Sequence, residues 1–169
     1  MNDKVKLYAL SPAEWRAWML AAVFAGGNVV LPLLCHLVPR GGQMLLPIFF
    51  FTFVGAYKYG LAVGLITAIA SPLLNSALTG MPSPAMLPSL LVQSVLLAVV
   101  ASLVSRRWQS ASYALLALCV VVFQVAGLLI EHLLLPGATP FFQAFLTAIP
   151  GMLLMTFGGG FLIKLEVRK

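Results

Sequence analysis

Long apolar runs separated by short polar breaks dominate this sequence and restrict what it can fold into. Six such runs cover residues 17–38, 44–56, 60–78, 86–104, 113–135 and 141–163. A helix needs about 20 apolar residues to cross the roughly 30 Å hydrocarbon core of a bilayer, and backbone polar groups there must be satisfied within the segment. The sequence therefore predicts an all-α integral membrane protein, a single transmembrane domain over residues 1–169 that forms a compact bundle of six helices.

Composition supports the membrane assignment. The chain is 62% hydrophobic and 8% charged, whereas soluble domains are about 25% charged. The net charge of +6 comes from basic residues scattered singly or in pairs between the runs, which is typical of topology-setting loop charges and not of a nucleic-acid surface. We therefore expect no nucleic-acid partner. Cys35 and Cys119 lie inside apolar runs, without the spacing of a metal or redox motif.

Charge also chooses between two topologies. The second and third runs could form one bent span, which would leave five spans and the two ends on opposite sides. With six spans, only Arg40 lies on one side, and the other nine of the ten basic residues share the other: Lys4, Lys6, Arg16, Lys58, Arg106, Arg107, Lys164, Arg168 and Lys169. The positive-inside rule then predicts six spans with both the N- and C-termini cytoplasmic. A capping pattern at Ser11 to Glu14 predicts where the first helix begins.

Polar residues within the runs fall on helical stripes, such as Gly60, Gly64, Thr67, Ser71 and Asn75 in the third run. Many lie in the half of their span nearest the external side, where they predict a small polar cavity open to the outside. The alternative is that they form interhelical hydrogen bonds, worth about 0.6 kcal/mol each. The candidate substrate-binding residues are His36, Gln43, Asn75, Gln93, Gln124, Glu131, His132 and Gln143.

Glu131 is the one acidic residue between Glu14 and Glu166. It is a candidate contact for a cationic or hydrogen-bonding ligand, or alternatively a carboxylate that lies among the headgroups or pairs with Arg40. Glu131 could also form a metal site with His36 and His132. The sequence has no HExxH, GxSxG or Walker motif. We therefore expect no enzyme activity and no ATP hydrolysis by this chain, and no cofactor.

Small residues at every fourth position, Ala17, Ala21 and Ala25, allow a second helix to approach the first span closely, from this chain or another. These alanines, the stretch from Leu46-Pro47 to Gly64, the Met86-Leu87-Pro88 segment and Ile149-Pro150-Gly151 resemble the substrate-binding subunit, or S-component, of energy-coupling factor (ECF) vitamin transporters. The six spans with cytoplasmic ends fit that family as well. The resemblance covers most of the chain.

This resemblance implies a multi-pass protein of the bacterial cell membrane that captures a vitamin or related micronutrient at its outer face. The substrate would lie under the loop at Pro39 to Gln43. The three alanines would dock on a separate transmembrane coupling protein, which acts with two cytoplasmic ATPase subunits. No pattern in the sequence indicates which vitamin is bound. Two other hypotheses remain open: a scaffold membrane protein without a small ligand, and a metal-ion carrier.

Overall fold

The computed structural model describes residues 7–35, 37, 41–135 and 137–165, with the side chain of Gln43 left out. These residues form helices and connecting turns, and no strand occurs among them. The helices are α1 (Trp15–Cys35), α2 (Gly41–Leu45), α3 (Pro47–Tyr59), α4 (Leu61–Thr79), α5 (Leu87–Trp108), α6 (Tyr113–Leu134), α7 (Phe141–Leu153), a π-helical segment (Leu154–Gly159) and α8 (Gly160–Lys164).

Within the described part of the chain, five helices are long and apolar enough to cross a membrane: α1, α4, α5, α6 and the continuous helix Phe141–Lys164. The predicted all-α fold is confirmed, and the predicted bounds of these five segments lie within four residues of the observed ones. At the start of α1, the backbone N–H of Ser11 donates to the Glu14 carboxylate at 2.8 Å. That bond is half of the predicted capping box, although the helix itself begins at Trp15.

The second run differs from its prediction because it contains a break. Pro47 begins α3, and the ring of a proline disfavours helical backbone at the residue before it. Leu46 accordingly adopts the left-handed conformation, with φ 51° and ψ 40°. The chain forms the five-residue α2, turns sharply, and continues as the 13-residue α3. Neither piece has the length of a span by itself.

The short helix α3 is the centre of the bundle. Nearly all of its residues are buried, and its aromatic rings form much of the hydrophobic core: Phe49, Phe50, Phe53 and Tyr57. The other helices surround it in the order α1, α4, α5, α6 and α7–α8, and α2 packs between α1 and α7. Tyr57 and Lys58, near the end of α3, are buried as well.

Both described ends of the chain lie at one end of the bundle, which we call the terminal end. The N–H of Tyr8 donates to the carbonyl of Lys58 at 2.8 Å, and Lys58 Nζ donates to the carbonyls of Leu162 and Leu165 at 3.1 and 2.5 Å. The ammonium of Lys164 lies 4.0 Å from the centre of the Tyr113 ring. The opposite end, which we call the far end, carries the end of α4 and the start of α5.

The last helix, Phe141–Lys164, contains a π-helical segment for a geometric reason. Its buried positions recur at every fourth residue, as in Gly151, Met155, Gly159 and Ile163. An α-helix has 3.6 residues per turn, so a strict spacing of four would drift round the helix. The wider i→i+5 turns of the π-helix wind more slowly and offset this drift. The segment therefore keeps one face of the last helix against α3.

Candidate functional site

A buried hydrogen-bond network joins α1, α3 and α4 in the half of the bundle nearer the far end. Asn28 Nδ2 donates to Thr52 Oγ1 at 3.1 Å and to Ser71 Oγ at 2.9 Å. Asn28 Oδ1 accepts from the backbone N–H of Phe51 at 3.0 Å. All three polar side chains are fully buried. The predicted inward-facing stripe of α4 is thus confirmed, and Ser71 serves helix packing.

Asn75 completes this network because α1 contains a proline. The carbonyl of Asn28 would normally accept the N–H of residue 32, but Pro32 has none. The amide Nδ2 of Asn75 donates to that carbonyl at 2.8 Å and to the carbonyl of Ser71 at 2.9 Å. Neighbouring helices commonly satisfy backbone groups freed by proline in this way. These two hydrogen bonds of Asn75 are interhelical and intrahelical, and its contact with a substrate stays a prediction.

Two other candidate residues, Gln93 on α5 and Gln124 on α6, are buried with hydrogen-bonding capacity left over. Gln93 Nε2 donates to Ser89 Oγ one turn earlier, at 3.0 Å. Its Oε1 lies 3.2 Å from the position that a Cβ at Gly127 would occupy, so the amide rests on the bare backbone of α6. The Gln124 side chain is 6% exposed, and none of the hydrogen bonds between described residues involves its amide.

The candidates further out on α6 and α7 are less enclosed. Glu131 is half-buried and His132 is exposed. The Nδ1 of His132 lies 2.9 Å from the carbonyl of Leu128, which leaves Nε2 directed away from that carbonyl. Gln143 is also exposed, and the buried residues of α7 are Ala148, Gly151 and Met152, further along the helix.

The predictions for His36, Arg40 and Gln43 depend on parts of the chain that the structure does not describe. His36 and Arg40 lie there, as does the side chain of Gln43 on α2. The pairing of Glu131 with Arg40 therefore remains untested. Among the described residues no group of three or more His, Cys, Asp or Glu side chains could hold a metal ion. The metal site with His36 stays a prediction for the same reason.

The alanine stripe of α1 faces inward. Ala17 and Ala21 have no exposed surface and Ala25 has 2%. Ala17 and Ala21 form a buried cluster with Val63 of α4. In this conformation the stripe provides close packing inside the chain, and the expectation that it is presented to a coupling protein does not fit the structure. A small residue permits close approach by any helix, and here that helix is α4.

Sequence reasoning missed two polar groups. Lys58 was assigned to a loop, yet its ammonium donates to the carbonyls of Leu162 and Leu165 at the end of α8. Thr52 was not singled out, although it accepts from Asn28. A signal existed for part of the network, since Pro32 four residues after Asn28 leaves a carbonyl that another helix must satisfy.

No protein-family model, curated protein or solved structure matches this chain.

Proposed function

We propose that this chain is the substrate-capturing membrane subunit of an ECF-type importer for a vitamin or related micronutrient. In this proposal α2 and α3 together act as a sixth crossing, and the terminal end, with its exposed Arg16, Arg106 and Arg107, faces the cytoplasm of a bacterial cell. The substrate enters from the far end. The chain has no motif for ATP hydrolysis, so a separate coupling protein and two ATPase subunits supply the energy.

One observation carries the proposal: among the described residues, the four buried amide side chains all lie at or beyond the middle of their helices, toward the far end. Two of them, Asn28 and Asn75, are paired within the network described above. The other two, Gln93 and Gln124, keep unused donors and acceptors. Buried polar groups normally find partners, so this pair supports a binding site for a polar molecule in the outer half.

The coupling protein would contact an exposed part of the chain and not the buried alanine stripe. The exposed face of α1 includes Trp15, Trp18, Met19 and Val23, and it is available to lipid or to a partner helix. The resemblance that suggested the alanines as the docking surface supports the partner class, and the burial of the alanines favours the exposed face of α1 for the contact.

Purified protein in lipid nanodiscs tests the proposal through thermal unfolding with each water-soluble vitamin and its common precursors. We expect one compound to raise the unfolding temperature, and Gln93→Met to remove that shift. The matched control is Gln109→Met, because the Gln109 amide is exposed at the terminal end, away from the proposed site, and its loss should leave the shift unchanged. If no compound stabilises the protein, the uptake function is wrong.

A scaffold protein without a small ligand remains the second candidate, because the Asn28–Asn75 network serves helix packing alone. The two functions differ in cells. An uptake subunit makes growth on a limiting nutrient depend on Gln93 and Gln124, whereas a scaffold tolerates apolar residues of similar volume at both positions.

A further inference from the structure

The chemistry of the seam between α5 and α6 restricts the kind of molecule that fits there. We infer that the substrate is an uncharged compound that carries a hydrogen-bond donor and an acceptor side by side, and that the amides of Gln93 and Gln124 bind this edge. The inference rests on the proposed uptake function and deepens it, because it names the chemical class of the cargo.

The unused capacity of Gln93 is the first part of the argument. A glutamine amide has two N–H donors and one carbonyl acceptor. One donor binds Ser89 Oγ, and among the described residues nothing donates to Oε1. Gly127 leaves room for this oxygen beside α6, because an added Cβ there would lie 3.2 Å from it. The second N–H and the carbonyl oxygen together present an adjacent donor and acceptor.

Gln124 supplies the second amide. It lies on the same stripe of α6 as Gly127, three residues earlier, and its side chain is more than nine-tenths buried. Within the described part of the chain its amide has no hydrogen-bond partner. The hydroxyl of Ser94, next to Gln93, is fully buried and is likewise without a partner there. These polar groups on α5 and α6 contrast with the Asn28 network, where the side-chain N–H donors of Asn28 and Asn75 are all in hydrogen bonds.

Charge provides the third part. Of the described buried residues on α5 and α6, the polar ones are amides and hydroxyls, and none is ionised. The nearest ionisable group on this stripe is Glu131, which is half-buried and seven residues beyond Gln124, about 10 Å along the helix axis. A charged group that is buried without a countercharge is strongly disfavoured. An amide edge instead pairs well with a lactam, carboxamide or similar neutral group.

The first experiment needs no ligand, because it measures thermal unfolding of the free protein. Gln124→Met removes an amide that has no hydrogen-bond partner among the described residues, while keeping a similar shape. We expect the unfolding temperature to stay the same or rise by about 2–4 °C. The matched variant Asn75→Leu removes a paired amide and should lower the temperature. If Gln124→Met lowers it as much as Asn75→Leu does, the Gln124 amide is a structural group and the inference is overturned, whatever the chain transports.

The second experiment compares probes that share a scaffold and differ in charge. Nicotinamide, nicotinate and 1-methylnicotinamide share one ring and are neutral, anionic and cationic, respectively. Two further pairs extend the comparison of a neutral compound with its anion: pantothenol with pantothenate, and biotinamide with biotin. We expect a neutral member to bind at least tenfold more tightly than its charged partners, and to lose tenfold or more of its affinity with Gln124→Met.

The outcomes separate the inference from the function beneath it. If a charged member binds more tightly than its neutral partner, the neutral class is wrong while the uptake function stands. If neither these probes nor the wider vitamin panel binds the intact protein, the uptake function itself fails and the inference fails with it.

Discussion

The bond from Asn75 to the carbonyl of Asn28 offers a sharp test of the packing, because α1 shows why the bond is needed. Asn75→Leu leaves that carbonyl buried without a donor, since Pro32 cannot supply one. The carbonyl of Ser71 loses less, because it still accepts the backbone N–H of residue 75. An orphaned buried acceptor costs about 1–3 kcal/mol, and interhelical bonds in membranes average about 0.6 kcal/mol with a maximum near 1.7. We expect a loss of about 1–2 kcal/mol.

A second substitution makes the test specific. Pro32→Ala restores a backbone N–H four residues after Asn28, so the carbonyl regains a donor within α1. Asn75→Leu should then cost less than about 0.5 kcal/mol in the Pro32→Ala background, and the coupling energy of the double-mutant cycle gives the difference. The assay is reversible unfolding in mixed micelles, with helix content followed by circular dichroism. Gln143→Leu, at an exposed amide, is the control. Equal costs of Asn75→Leu in both backgrounds would refute the reasoning.

The remaining predictions concern packing and orientation. Gly64→Ala should destabilise by about 1–3 kcal/mol, because its Cβ would lie 2.5 Å from that of Ala56, whereas Gly26→Ala should be neutral because nothing lies within 4 Å; chemical unfolding of the two variants compares them. In a background without native cysteines, Ser83→Cys should react with a membrane-impermeant maleimide on intact cells, and Gln109→Cys only after permeabilisation. The reverse labelling would contradict the proposed orientation. Lipids brominated near the headgroups should quench tryptophan fluorescence more than lipids brominated at the bilayer centre, since the three tryptophans, Trp15, Trp18 and Trp108, all lie near the terminal end.

Much of the helical layout was predictable because length and hydropathy determine it. The spans that became α1, α4, α5 and α6 are apolar over a membrane thickness, and their polar stripes show which face turns inward. The buried Ser71 and Asn75 confirm that stripe for α4. The break at Leu46 was predictable in principle, because Pro47 disfavours a helical residue before it, yet the apolar run passes through that point without interruption.

The position of α3 could not be predicted from hydropathy. A helix that is apolar on all sides suits the centre of the bundle as well as lipid, and only the surrounding helices distinguish the two. Lys58 shows the same limit. Its charge indicated a loop, whereas the last carbonyls of α8 supply acceptors that make burial favourable. Ala17 and Ala21 predicted close helix approach, but their small size carries no information about which helix approaches.

The choice between ligand-binding and structural amides also needed tertiary contacts. Asn75 and Gln124 have the same kind of side chain in the same half of the bundle, so the sequence alone does not distinguish a structural amide from a ligand-binding one. Their partners separate them: one completes a bond that a proline leaves open, and the other has none among the described residues. Of the eight candidate substrate-binding residues, Gln93 and Gln124 therefore carry the present proposal most directly.

The most direct test of the uptake function is native mass spectrometry of the purified protein in nanodiscs, with an equimolar mixture of water-soluble vitamins and precursors. We predict a single adduct whose mass equals that of one uncharged compound in the mixture. Titration of that compound should give a nanomolar Kd, equivalent to about 12 kcal/mol of binding free energy. A spectrum without any adduct at millimolar concentrations of the mixture would contradict the account.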